Sequence, residues 1–204
     1  TLNQQIWFAA MVSRVAAILS DTGLQNRTEK FLDTLEAKIS LTEEGTIHHY
    51  LSVPRRPAAL LSYFTANASQ SRIPKPILQR LRPENEKTVR ERTIGYHSFC
   101  LTGLAILAKQ NDNHSVWESN KIRKTLKYAK SEEYFEQVSD NRFGFQYNVP
   151  GFEIPFSLGV FSDIGVIDYT REESERWIRQ QFERHWDPQK RMLSRDTVDP
   201  KTLS

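Results

Sequence analysis

With 204 residues, 38% of them hydrophobic and 26% charged, the chain is long enough for one sizeable core and too apolar to be disordered. Its 28 Lys and Arg stand against 25 Asp and Glu, and a net charge of +3 is too dilute over this length to mark a nucleic-acid surface. One cysteine, Cys100, excludes a disulfide framework and a cysteine-rich zinc site, and it suits a reducing compartment such as the cytoplasm.

From Leu2 to Leu19, the apolar residues Leu2, Ile6, Ala9, Val12, Ala16 and Leu19 recur every three or four positions, which predicts a helix with one buried face. Gly23 is expected to end it. A second helix is predicted from Thr28, with Phe31, Leu35 and Ile39 on its inner stripe, so the two make a helical hairpin. In "LTEEGTIHHYLSVPRRP" the chain turns at Gly45 and "TIHHYL" reads as extended, which allows at most one small β-hairpin. A short helix is expected from Ala58 to Ala66. Residues 67–85 are polar, prolyl and basic and read as a flexible connection.

A long helix is predicted over 86–110, with His97, Leu101, Leu104 and Ala108 on one stripe. Its most apolar stretch, "FCLTGLAILAK", falls short of the roughly 18 residues a membrane span needs, so the reading is a soluble chain without a membrane partner. Two capping boxes follow, Ser115 with Glu118 and Thr170 with Glu173, each announcing a helix start. The class is therefore all-α, one helical domain over residues 1–204. The start at Thr1 and the open "DPKTLS" end lead us to expect a stretch trimmed from something longer.

The rhythm of helix, loop, helix and then an elaborate loop occurs twice, closing once at "EEGTIHHYL" and once at "RFGFQYNVPGFEIPF". It resembles the α/α-toroid carbohydrate-active proteins, in which helical hairpins circle an axis and long loops at one end build the site. The resemblance implies a lyase or hydrolase type of enzyme acting by proton transfer, without cofactor, on a glycan or other polar small molecule.

Three stretches carry candidate chemistry. "RTIGYHSF" sets Tyr96 and His97 in an apolar helix just after a glycine; they are either satisfied core residues or an acid/base pair, with Arg92 near to hold negative charge. "TIHHYL" offers His48 and His49, which point to opposite faces of an extended segment, so they do not share a metal; His49 is the substrate-binding candidate. No metal-ligand spacing is present. In "QYNVPGFEIPF", Pro150-Gly151 suits a type II turn and Pro155 the start of a helix. The rings of Tyr147 and Phe152 either staple this loop to the helix ends or stack on a sugar, with Asn148 supplying hydrogen bonds and Glu153 a catalytic carboxylate.

Two other readings stay open. Arg92 to His97 forms R-x-x-x-x-H on a helix, which resembles the motif of HEPN-type RNases and implies a metal-independent cleavage of RNA by a dimer. The aromatic loop also suits a non-catalytic domain that docks a protein partner. The basic run of Arg72, Lys75, Arg80, Arg82, Lys87, Arg90 and Arg92 is diluted by Glu84, Glu86 and Glu91 and reads as a solvated connection, with binding of phosphate or an acidic polymer as the alternative.

Overall fold

The computed structural model describes residues 1–48 and 86–196. The expected helix at 58–66, the connection at 67–85 and His49 lie outside those residues. The chain is helical, as its periodicity predicts, with one very small sheet among the described residues. Helix α1 (Leu2–Leu19) buries Leu2, Ile6, Ala9 and Ala16 as anticipated, but Leu19 is exposed, and Phe8, Met11, Val15 and Ile18 form a second apolar row that faces outward. Ser20 ends α1 in the left-handed region, at φ 52°, so no glycine is used. Gly23 lies instead inside α2 (Thr22–Asp33), which begins where the Asp21 carboxylate accepts from Leu24 N–H at 3.0 Å. Leu32 and Leu35, the latter in the short α3 (Leu35–Lys38), supply the buried side.

The loop after α3 closes at Gly45, whose φ of 124° is the left-handed backbone that favours glycine, and a bridge joins Leu41 to Ile47. Thr125 donates its hydroxyl to Gly45 O at 2.7 Å and Ile47 N–H donates to His97 Nδ1 at 3.3 Å, so this loop is pinned onto the core.

The long helix expected over 86–110 is broken at Tyr96 into α4 (Glu86–Gly95) and α5 (His97–Gln110). The cause lies far away in sequence. Tyr134 and Asn148 donate to the carbonyls of Ile94 and Gly95, drawing them from the helical ladder, and Asn141 donates to Glu91 O one turn earlier. Phe143 also presses against Gly95, where a Cβ would run into its backbone.

Ser115–Glu118 forms a 3-10 turn rather than a helix start. His114 caps that turn, and Ser119 opens α6 (Asn120–Lys130) by accepting from Ile122 N–H. Ser131 likewise opens α7 (Glu132–Ser139). Pro150 and Gly151 are not in a type II turn; they are the first residues of α8 (Pro150–Asp163), which leaves Pro155 inside that helix. A proline at the first position loses no helical hydrogen bond, which is why the helix starts there. The Thr170 capping box opens α9 (Arg171–His185) as read from the sequence. The chain then makes the hairpin of β1 (Trp186–Asp187) and β2 (Met192–Leu193), which was not anticipated.

Helix α5 packs between α1 and α8. Ser98 meets Glu153 and, one turn on, Thr102 meets Ser157, both pairs 55 residues apart, so α5 and α8 run parallel. Trp7 pairs with Phe99 and Ser13 with Asn111, so α1 runs the same way. Helix α9 returns against α8, with the end of one beside the start of the other: Gly151 N–H donates to Gln181 Oε1 at 3.1 Å, and Phe152 meets Phe182. The starts of α5 and α8 are thereby brought to one end of the fold.

Two glycines in this frame separate close approach from mere flexibility. Gly95→Ala is expected to destabilise by about 1–3 kcal/mol because the new methyl overlaps the Phe143 backbone. Gly159→Ala, on α8 with nothing within 4 Å of its added Cβ, is expected to stabilise by about 0.4–1 kcal/mol. Chemical denaturation of the two variants reads both signs.

Candidate functional site

The shared end of α5 and α8 gathers most of the residues singled out in the sequence. Tyr96, at the break before α5, packs edge-on against Phe99 and Tyr147 with ring centroids at 6.3 and 5.7 Å, and tilts against Phe143 at 6.1 Å. Phe99 stacks in turn on Trp7, at 4.7 Å and 25° between planes. The outer members of this face reach solvent, with Tyr147 53% exposed. Two guanidinium groups lie over the Phe143 ring, those of Arg92 at 5.5 Å and Arg142 at 4.7 Å. A stacked arginine holds its charge at the edge of an apolar surface, and the Arg142 Nε is further held by the Glu91 carboxylate at 3.1 Å.

Asn148 acts from beneath. Its amide donates to Gly95 O at 2.9 Å and to Phe143 O at 2.7 Å, so it ties the aromatic loop to the end of α4. Phe152 points the other way, into a row with Phe182 and Trp186 on the α9 side.

Glu153 lies in the first turn of α8, where the helix dipole favours a carboxylate. Its Oε2 accepts the Ser98 hydroxyl at 2.6 Å. Ser98 follows Tyr96 by two positions, about 200° around the helix, so the carboxyl stands at the same end of α5 as the ring face but on another side of the helix. Part of Glu153 still meets solvent, yet burial pushes its carboxyl up to about 7, and the Ser98 hydrogen bond offsets only part of that. A carboxyl poised there changes protonation near neutrality. Burial and then the Glu153 charge push the Cys100 thiol up to about 12, and the same two causes raise the buried Tyr134 phenol.

His97 faces the core. It is fully buried, its Nδ1 accepts from Ile47 N–H, and its ring lies between Tyr134 at 5.0 Å and Tyr128 at 5.8 Å. Burial lowers its pKa to about 3, with the Thr125 backbone opposing weakly, so the imidazole is neutral at physiological pH. Tyr96 and His97 are thus adjacent in sequence but turn to different sides of the helix, one to the ring face and one inward. Among the described residues, no three His, Cys, Asp or Glu side chains come together as metal ligands would, and no helix is long and apolar enough to cross a membrane.

Sequence reasoning missed Ser98, Phe99, Trp7, Phe143 and Arg142. Phe143 and Arg142 lay within the aromatic loop already noticed. Ser98 carried no signal of its own, since a serine in an apolar helix is ordinary.

No family model matches this chain, and no solved structure matches it. Among curated proteins it is similar to the archaeal glycosylation protein Q of Haloferax volcanii, with 37% identity over 203 residues. The match takes in 99% of this chain and 53% of the relative, so the chain spans about half the length of the curated protein it resembles.

The two perturbed groups act on stability with opposite sign. Glu153 has a folded pKa of about 7 against an ordinary 4.5, so the folded state holds its proton longer and this group's contribution falls as pH rises from about 4.5 to 7. His97 has a folded pKa of about 3 against 6.5, so its contribution is fully present above about 6.5 and is lost as pH falls toward 3. The two slopes oppose each other where the windows overlap. Glu153→Gln is expected to leave a steeper rise of stability with pH between about 4.5 and 6.5, and to be more stable than the native chain at pH 8 by about 1–3 kcal/mol. Denaturant titrations across pH measure both.

Proposed function

We propose that this chain handles a glycan at the shared start of α5 and α8, its ring face seating the sugar and Glu153 exchanging a proton with it. The observation that carries the proposal is the ring face of Tyr96, Phe143 and Tyr147, flanked by Arg92 and Arg142, at the end of the fold where Glu153, its carboxyl pushed up to about 7, pairs with Ser98. Aromatic faces bind the C–H side of a sugar ring, while guanidinium groups bind its hydroxyls or acidic substituents. A carboxyl with a pKa close to the working pH serves equally as acid or as base, which is the requirement for proton transfer without a cofactor. The relative's name, a glycosylation protein, points to the same class of ligand.

The parallel row of α1, α5 and α8, with α9 returning outside it, is also the arrangement that a toroid of helical hairpins repeats, in which one end carries the site. Within this reading His97 is a positioning residue of the core: it receives Ile47 N–H and holds the Gly45 loop, and it does not meet substrate. Asn148 likewise shapes the ring face through Gly95 and Phe143.

Tyr147→Ala removes an exposed ring without opening the core, so the fold should survive. Binding of oligosaccharides, followed by calorimetry, is expected to weaken about 5–30-fold, the equivalent of about 1–2 kcal/mol for one lost stacking ring. Glu153→Gln is expected to bind normally and to lose turnover. If Tyr147→Ala and Phe143→Ala both bind glycans as tightly as the native chain, the ring face is not the sugar site.

A further inference from the structure

The broken helix α4 has a second face. Arg92 lies two positions beyond Arg90, at about 100° per residue, so the row of Arg90, Thr93 and Ile94 points away from the aromatic cluster. That row, with Thr42 and Thr46 of the Gly45 loop and Gln137 of α7, encloses a cavity of about 230 Å³. Its construction is layered. Ile94 and the half-buried Val89 provide apolar surface at the bottom, the buried Thr46 and Thr93 provide hydroxyl walls, and exposed Glu44 and Arg90 stand at the rim with His48 beside them.

The volume lies below the roughly 300 Å³ at which pockets for drug-sized ligands begin, so it suits one small ring and not a chain of them. Thr93 donates its hydroxyl to Val89 O and Gln137 one amide proton to Glu133, which leaves to a ligand the Thr93 oxygen and the Glu44 carboxylate as acceptors and the second Gln137 amide proton and the Arg90 guanidinium as donors, over an apolar floor that suits C–H bonds. The rim carries charges of both signs: the Glu44 carboxyl is held below its usual range by its own backbone and the Thr42 hydroxyl first, and then by the charges of Arg90 and Lys124. An anionic ligand would gain from Arg90 but be repelled by Glu44.

We infer that the cavity between the Gly45 loop and α4 binds a single neutral sugar ring, as a site separate from the aromatic face. It rests on the glycan reading for the class of ligand, and on the cavity itself for the place. The walls are held independently of any ligand. Thr42 Oγ1 accepts from Gly45 and Thr46 N–H, Tyr128 donates to Gln137 Oε1 at 2.9 Å, and Ile47, next to Thr46, is anchored on His97. A site so braced is formed before the sugar arrives, which lowers the ordering cost of binding.

The test is a titration of the chain with glucose, mannose, galactose, glucuronate and inorganic phosphate, read by amide chemical shifts. A neutral hexose is expected to move the amides of Thr46, Thr93, Ile94 and Gln137. Thr93→Val, which keeps the shape and removes the hydroxyl, and Arg90→Gln, at an exposed position, are each expected to weaken that binding about fivefold or more, the worth of one hydrogen bond. Tyr147→Ala is expected to leave it unchanged. The inference is overturned if no neutral hexose moves the cavity amides, if glucuronate or phosphate binds there more tightly than the neutral rings, or if neither variant weakens binding. Hexose binding in the cavity together with unaltered oligosaccharide binding by Tyr147→Ala and Phe143→Ala would remove the ring-face reading and leave the cavity standing; the reverse pattern would remove only the cavity.

Discussion

The register of α5 on α8 is the constraint on which the rest of this structure depends. Two polar contacts one turn apart, Ser98 with Glu153 and Thr102 with Ser157, join two helices whose other buried residues include Leu101, Leu104, Ala105, Ile154, Leu158 and Phe161. Apolar packing supplies most of the energy, since each fully buried large side chain is worth about 1.5–3 kcal/mol. It does not choose the register, because leucines tolerate sliding by a turn. The hydroxyl–carboxylate seam does choose it: slipped by one turn, it would leave Ser98 and Glu153 unpaired where solvent reaches poorly, at a cost of about 1–3 kcal/mol for each orphaned group. Register then fixes the shared end, and with it the place of Tyr147, Asn148 and the loop they belong to.

The same seam explains why one carboxyl is tuned and others are not. Glu153 is held close to a helix-helix interface by the pairing that sets the fold, so its raised pKa is a by-product of architecture before it is an instrument of chemistry. The exposed Glu132 and the half-buried Glu173 move the other way, the first chiefly through its pairing with Arg176, the second because the Thr170 cap and Lys130 together outweigh its burial. The contrast follows from burial winning at Glu153 and from hydrogen bonds and cationic partners winning at the other two.

Helix faces were legible in the sequence wherever the buried stripe was continuous, as in α1, α5 and the capping box of α9, because period and caps are local properties. The break at Tyr96 was not, since it comes from donors 40 and 53 residues away, Tyr134 on Ile94 O and Asn148 on Gly95 O. Likewise Pro150-Gly151 carries the same letters in a turn and in a helix start, and only the packing of Gly151 on Gln181 and Trp177 decides between them. Of the candidate site, Glu153 and the aromatic loop stood out by composition. The facing directions of Tyr96 and His97 did not, because an adjacent pair on a helix is split by whatever packs on each side. Thr42, Thr46, Thr93 and Gln137 left no pattern at all, being ordinary residues brought together by the Gly45 loop.

The parallel pairing of α5 with α8 also sets an order in time. Parallel helices cannot be joined by a tight turn, so α6 and α7 must intervene, and the partners of Ser98 and Thr102 are made only when the chain reaches Glu153 and Ser157. During synthesis, α5 emerges with its polar row hydrated and its leucines uncovered, while α1 is already present to shelter the opposite side through Trp7 and Ile6. Chain order thus places one neighbour of α5, helix α1, before it, and the other, α8, 55 residues beyond Ser98 at the Glu153 contact.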